Sequence, residues 1–296
     1  MNYRPIGSSA LRTSEIGFGC MSLLKATTPE AEELINSAIE SGINYFDTAD
    51  LYDKGENEKL VGRILKPVRK NIILATKVGN QWKEDGTGWT WNPTKKYILK
   101  AVDDSLSRLQ TDYIDLYQLH GGTIDDPMDE TIEAFDRLVE SGKIRYYGIS
   151  SIRPNVIREY VRRSGIVSVM MQYSLLDRRP EEEVLAFLKS SNISIMARGV
   201  LAQGCLAGKA AKDYLELGKD EVKDIQEKLN GIQLPRSNTA KSIGYVLHHN
   251  AVASAIIGIR TVNQLKEALK EETNLQQANY HYLQQNTPAL KYLQHR

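Results

Sequence analysis

Eight short runs rich in β-branched and aromatic residues alternate with longer helix-period stretches from one end of the chain to the other. No other feature limits the possible folds so strongly. The runs are 15–19, 44–49, 72–78, 114–120, 144–151, 168–173, 193–199 and 253–257. They read as nearly continuous apolar segments, as strands do when helices cover both faces of a parallel sheet. Between them, stretch 29–41 places Ala31, Leu34, Ile35, Ala38 and Ile39 on one face. Thr28 is its expected N-cap, Pro29 its first helical residue and Gly42 its stop. Stretch 129–141 repeats the pattern, with Ile132, Phe135, Leu138 and Val139 expected inward and Gly142 as the stop.

Eight βα units in about 250 residues point to an α/β fold, a single (β/α)8 TIM barrel occupying 1–296 as one domain. An open dinucleotide-binding sheet is disfavoured, because Gly17-Phe18-Gly19 is followed by Ser22 where its fingerprint needs a third glycine. Residues 1–14, with turn signals at Gly7-Ser8-Ser9, read as an N-terminal hairpin closing the barrel bottom. The Gln/Asn-rich C-terminal extra segment after Glu272 reads as docked through Leu275, Tyr282, Leu283 and Leu290, with a frayed end.

Charge narrows the partners. Lys plus Arg is 38 and Asp plus Glu is 37, so the formal charge is +1 and nothing favours nucleic-acid or membrane-surface binding. Cys20 and Cys205 are too few for a disulfide scaffold, and no metal motif occurs. Without a signal-type or spanning apolar run, a cytoplasmic protein is expected. The oligomeric state is left open by the sequence.

In a barrel, chemistry sits at the C-terminal ends of the strands. The second run ends in Asp47-Thr48-Ala49-Asp50-Leu51-Tyr52, the third in Ala75-Thr76-Lys77 and the fourth in Gln118-Leu119-His120. A carboxylate, a phenol, an ammonium and an imidazole thus converge on one face. An ammonium beside a phenol favours proton donation near neutral pH, and a carboxylate keeps the ammonium charged. Asp47 would hold Lys77, and His120 would orient a substrate oxygen beside Tyr52. Taken singly, each is more often a cap or rim residue; it is the meeting of all four at successive strand mouths that points to chemistry. Asp50 and Asp53 are expected to face solvent around the turn. His248-His249 ends an apolar helix-period run and reads as a C-terminal cap pair. The stretch Gly204–Lys209 is one residue short of a phosphate loop, and His120-Gly121-Gly122 has no nucleophile elbow to serve.

Taken together, these residues resemble the aldo-keto reductase superfamily. The likeness is carried by Gly42-Ile43-Asn44-Tyr45-Phe46-Asp47-Thr48-Ala49 with Tyr52, by Ala75-Thr76-Lys77 and by Tyr117-Gln118-Leu119-His120. It extends to Gly19-Cys20-Met21, Gly148-Ile149-Ser150-Ser151, Gln172-Tyr173-Ser174, Gly199–Lys209 and Gly258-Ile259-Arg260. The bacterial general stress and inositol-cluster reductases are the nearest in kind.

The resemblance implies an NADP(H)-dependent oxidoreductase that reduces small aldehydes or ketones to alcohols by hydride transfer. Asp47, Tyr52, Lys77 and His120 would be its catalytic set, with Tyr52 as general acid. Cofactor contacts would come from Gly19, Cys20, Met21 and Asp47, and from Ser150, Ser151 and Gln172 at the nicotinamide. Arg198 would stand at the nicotinamide, and Gly199, Val200, Leu201, Gln203, Gly204 and Lys209 would cover the pyrophosphate side. Gly258, Arg260, Gln264 and Glu267 would meet the adenosine end, where Arg260 suits a 2′-phosphate. Three positions depart from the family pattern: Ser151 and Ala268 replace common Asn residues, and Arg198 replaces an aromatic ring. Arg198 is expected to stack on the nicotinamide, to turn aside into a salt bridge, or to reach the substrate. The loop 81–93, with Trp82, Trp89 and Trp91, is either the substrate wall or a set of packing anchors. Two alternatives accompany the reductase reading: an NADPH-binding regulatory subunit with little turnover, and a Schiff-base aldolase using Lys77.

Overall fold

The computed structural model describes every residue from Met1 to Arg296. Eight strands run parallel: β1 (Ile16–Gly19), β2 (Tyr45–Asp47), β3 (Ile73–Val78), β4 (Ile114–Leu119), β5 (Ile144–Ser150), β6 (Ser168–Gln172), β7 (Ser194–Arg198) and β8 (Val252–Gly258). They pair in chain order, and β8 returns to β1 with Ala255 opposite Ile16 and Gly258 opposite Gly19. The sheet is therefore a closed barrel, the (β/α)8 fold, and each strand lies on one of the eight apolar runs.

Side chains alternate along each strand. Tyr45, Ile73, Ala75, Leu116, Met170, Met196 and Ile256 fill the barrel interior, whereas Phe46, Leu74 and Tyr117 face the surrounding helices. Gly17 is small because the interior leaves it no room: a Cβ there would lie 2.5 Å from Ile256 Cδ1. The bottom is closed by the N-terminal hairpin, Tyr3–Pro5 antiparallel to Arg12–Ser14. Ile6 and Leu11 enter the interior cluster, and Arg4 Nη1 donates to the carbonyls of Leu247 and Val252 at the start of β8.

Helices α1 (Thr28–Glu40), α2 (Glu56–Leu65), α3 (Lys95–Leu109), α4 (Met128–Glu140) and α5 (Pro154–Arg163) cover the first half of the barrel. The N-cap of α1 is Thr27 rather than Thr28. The Glu30 carboxylate accepts from Thr27 N at 2.8 Å and from Thr27 Oγ1 at 2.7 Å, and Pro29 is tolerated one place further in because first-turn N–H groups need no helical partner. In α4 the buried stripe runs through Thr131, Phe135 and Leu138, which leaves Val139 at its edge and 39% exposed, not inward. The second half is covered by α6 (Val184–Ser190), α7 (Lys219–Gly231), α8 (Asn238–Leu247) and α9 (Val262–Leu269).

The C-terminal segment carries α10 (Gln277–Asn286). Leu275 and Leu283 are buried as expected, but Tyr282 is exposed. Tyr280 docks instead, its ring 4.0 Å from that of His248. The end is not frayed, since Tyr292 is buried beneath Arg179 and the His295 carbonyl accepts from Asn155 N. One element was not legible as strand: Asn80–Trp82 and Trp89–Trp91 form a second hairpin just past β3. No helix is long and apolar enough to cross a membrane.

Candidate active site

A cavity of about 850 Å³ opens at the C-terminal ends of the strands. Asp47 ends β2, Lys77 lies in β3 two residues past Asp47's ladder partner Ala75, and His120 follows β4 two residues past Lys77's partner Gln118, so the three stand around one mouth. Tyr52 reaches the same space from the turn after β2. Lys77 Nζ lies 2.5 Å from Asp47 Oδ2, 2.7 Å from the Thr48 carbonyl and 3.4 Å from Tyr52 Oη. Thr48 O can only accept, so Nζ donates to it. With Asp47 and Tyr52 as the other acceptors, all three hydrogens of an ammonium are placed. Gln118 Nε2 donates to Asp47 Oδ1 at 3.3 Å. Burial alone would strip the Lys77 proton, but Asp47 and Tyr52 outweigh it and hold the ammonium above its usual range.

The His120 ring meets the Tyr52 ring edge-on, with centroids 5.9 Å apart. Burial, with help from Lys77 and Arg198, pushes His120 down to about 3, so it is a neutral imidazole. Its Nδ1 is buried without a partner. Asp50 does not face solvent as expected. It is 7% exposed, and burial together with the Glu58 carboxylate raises its carboxyl well above the ordinary range. Asp53 is exposed, in a left-handed turn with φ 48°.

Gly19, Met21, Ser150, Ser151, Gln172, Arg198, Gly199, Gln203 and Gly258 also line this cavity. Gln172 is engaged on both sides of its amide: Oε1 accepts from Arg198 Nη1 at 3.0 Å, and Nε2 donates to Tyr214 Oη at 3.2 Å. The salt-bridge alternative for Arg198 fails, because no carboxylate lies within ion-pair distance of it. Cys20 and Val200 are buried beneath the cavity wall, and the Cys20 carbonyl is taken by Asn57, which leaves Cys20 little to offer a ligand. Beyond β7, Ala202, Gln203 and Gly204 all have positive φ, a turn over which the Lys209 side chain folds. Leu201 is partly buried against the core beside this turn. Arg260 lies apart, in a neighbouring cavity of about 510 Å³ with Ser22, Lys25, Glu30, Glu33 and Asn263. Gln264 Oε1 accepts from Arg260 N, and Glu267 stands exposed further along α9.

The tryptophans divide. Trp89 and Trp91 line the main cavity, with Trp91 Nε1 donating to Asp126 at 2.9 Å. Trp82 does not line it; Lys54 Nζ sits 5.2 Å over its ring, which makes Trp82 an anchor for the hairpin. Sequence reasoning missed Asn80, Arg153 and Tyr214, all cavity-lining residues on connecting segments. Asn80 could have been found two residues past the end of β3, but Tyr214 lies in irregular chain without a periodic signal.

Residues 15–286 match the model of the Aldo/keto reductase family. The chain is 50% identical over 288 residues to an uncharacterized oxidoreductase of Bacillus subtilis, covering 94% of this chain and 92% of that protein. An aldo-keto reductase of Schizosaccharomyces pombe whose name carries NADP(+) is 36% identical over 224 residues, covering 72% and 65%. Among solved structures, the holo form of an aldo-keto reductase from Bacillus halodurans superposes with a TM-score of 0.95 at 49% identity, covering 100% of this chain and 99% of that one.

Proposed function

The chain belongs to the aldo/keto reductase family, and on that footing we propose that it is an NADP(H)-dependent oxidoreductase reducing aldehydes or ketones to alcohols, with Tyr52 as general acid. It is an oxidoreductase by family, and its small-molecule carbonyl substrate would enter the cavity at the strand ends. The cytoplasm is where it would act.

The observation that carries this reading is how Lys77 distributes its hydrogens. Because Lys77 donates to the phenol oxygen, the hydrogen of that oxygen is directed elsewhere and is free for a carbonyl in the cavity. Asp47, held by Gln118 and Lys77, keeps the lysine charged and in place. His120 is neutral, so it carries one N–H; with Nδ1 buried, Nε2 would donate that hydrogen to the same carbonyl oxygen and polarise it. As the carbonyl oxygen gains charge, Tyr52 passes its proton to it, and the Lys77 ammonium steadies the phenolate left behind.

The surrounding residues suit a nicotinamide dinucleotide. Arg198 and Arg260 are guanidinium groups without a carboxylate partner, and the left-handed turn at Ala202–Gly204 sets backbone against the cavity. Such a cofactor, when bound, supplies the hydride. Gly19, Met21, Ser150, Ser151 and Gln172 would hold its nicotinamide end, and Arg198 would cover the ring. Gly199, Leu201, Gln203, Gly204 and Lys209 would hold the pyrophosphate, and Gly258, Arg260, Gln264 and Glu267 the adenosine end. The name of the fission-yeast relative supports NADP(H) over NAD(H).

Lys77 is a poor candidate for a Schiff base, since its side chain is 1% exposed and its nitrogen carries three placed hydrogens instead of a free lone pair. NADPH oxidation, followed by absorbance against a panel of aldehydes, ketones and dicarbonyls, tests the proposal. Turnover of at least one class is expected, and a flat response to every class would sink it.

A further inference from the structure

Arginines in this protein are almost always neutralised. Only Arg12, Arg153, Arg198 and Arg260 face no carboxylate within 4.0 Å. Arg12 lies on the exposed N-terminal hairpin, where it donates to the Tyr3 carbonyl. Arg198 and Arg260 belong to the surfaces assigned above to the cofactor. Arg153 is the remaining one, and it lines the main cavity.

Its position works against helix stability. Arg153 is the N-cap of α5 and its side chain makes no capping bond, where Ser, Thr or Asp would stabilise the helix. A cation at this end also opposes the helix dipole. The side chain instead turns across the cavity mouth, and Nη1 donates to the Gly122 carbonyl. That contact fixes the guanidinium beside the segment two residues past His120, and Nη2 and Nε keep hydrogens without a protein acceptor. Asp126, beside Gly122, is committed to Trp91 Nε1, Thr123 N and Thr123 Oγ1. Asp47, the one carboxylate lining the cavity, is neutralised by Lys77. The substrate side of the cavity therefore carries one uncompensated positive charge, next to the aromatic wall of Trp89 and Trp91.

Resting on the reductase reading above, we infer that Arg153 is a specificity-determining residue and that the preferred substrates are carbonyl compounds bearing a carboxylate or comparable anionic group. A guanidinium presents paired N–H groups that match a carboxylate. The anionic group would be held beside Gly122, on the same cavity rim as His120. A flat, apolar spacer would lie against Trp89 and Trp91.

Two matched pairs test this. In turnover, 4-carboxybenzaldehyde is compared with its methyl ester; in binding, benzoate is compared with benzamide by tryptophan fluorescence of the NADP⁺-loaded protein. The wild type should favour the carboxylate member about tenfold in both kcat/KM and Kd. Arg153→Met should bring both ratios close to one, and Arg153→Lys, which keeps the charge but not the fork, should keep part of the preference. A loss of the Gly122 bond alone would weaken both members of a pair equally and leave the ratios standing, which counts against the inference. So does a wild type with no preference, or a preference erased by Arg198→Met and not by Arg153→Met. Failure to oxidise NADPH with either aldehyde, alongside a tenfold benzoate preference, would overturn the reductase reading and still support the anion site.

Discussion

Asp47 and Lys77 form an ion pair 2.5 Å long with side chains 6% and 1% exposed, and the same lysine contacts Tyr52. A pair so far from water costs several kcal/mol per ion to desolvate, and removing one partner strands the other. Lys77→Met should therefore destabilise the fold by about 3–5 kcal/mol. Adding Asp47→Asn, which removes the stranded charge, should recover part of that loss. Urea unfolding of the single and double variants measures both; an unchanged midpoint for Lys77→Met would mean that the pair is neutral in the native state.

Tyr52→Phe deletes a hydroxyl and little else. Reduction should fall by about 10²- to 10⁴-fold, the usual worth of a positioned proton donor. Affinity for NADPH should stay within a few-fold, because Lys77 retains Asp47 and Thr48 as partners. Rate and cofactor titration on one preparation decide it, and undiminished turnover would place the acid elsewhere.

His120 titrates at about 3 in the fold against 6.5 unfolded. Between those values the unfolded chain binds the proton and the native one does not, so stability from this group is complete above about 6.5 and drains away as pH falls towards 3. His120→Gln should lose stability less steeply than the wild type over that window. The pH profile of kcat/KM should show no inflection near 6.5 attributable to this imidazole. A limb there that vanishes in His120→Gln would contradict the neutral assignment.

Arg260 is expected to discriminate between cofactors. NADPH should bind more tightly than NADH, and Arg260→Ala should shrink the gap by removing a phosphate-matching fork. Equal wild-type affinities would defeat the assignment.

Arg198, by the family resemblance, stands where a ring is common, and its charge is proposed to lie against the nicotinamide. Against a nicotinamide, that charge repels the oxidised cofactor and not the reduced one. Arg198→Tyr should tighten NADP⁺ more than NADPH, as read by parallel titrations. An equal shift in both would remove the charge argument and leave only stacking.

The residues that could be read from sequence share one property: their positions follow from chain order. Parallel strands of a barrel end at one level, so Asp47, Lys77 and His120 had to meet once their runs were recognised as strands. Loop residues obey no such rule. Tyr214 and Arg153 reach the cavity through turns whose course depends on tertiary packing, and Asp50 was misjudged because one carboxylate along a turn can be buried while the next, Asp53, is not. Val139 failed for a related reason. Helical period gives the direction of a buried stripe but not its width, which the neighbouring helices set.

Closure of the barrel has a consequence for how the chain must be made. Every strand of the finished ring has two neighbours, so no row of N–H and C=O groups is left open to another molecule. That protection arrives last, because β1 waits for β8, more than two hundred residues away, and Arg4 waits for Leu247 and Val252. Until residue 258 is in place, β1 and β7 each present an unpaired edge. Pairings between such distant parts of a chain form slowly. The nascent protein is thus most vulnerable to edge-to-edge aggregation just before the one step that abolishes both edges together.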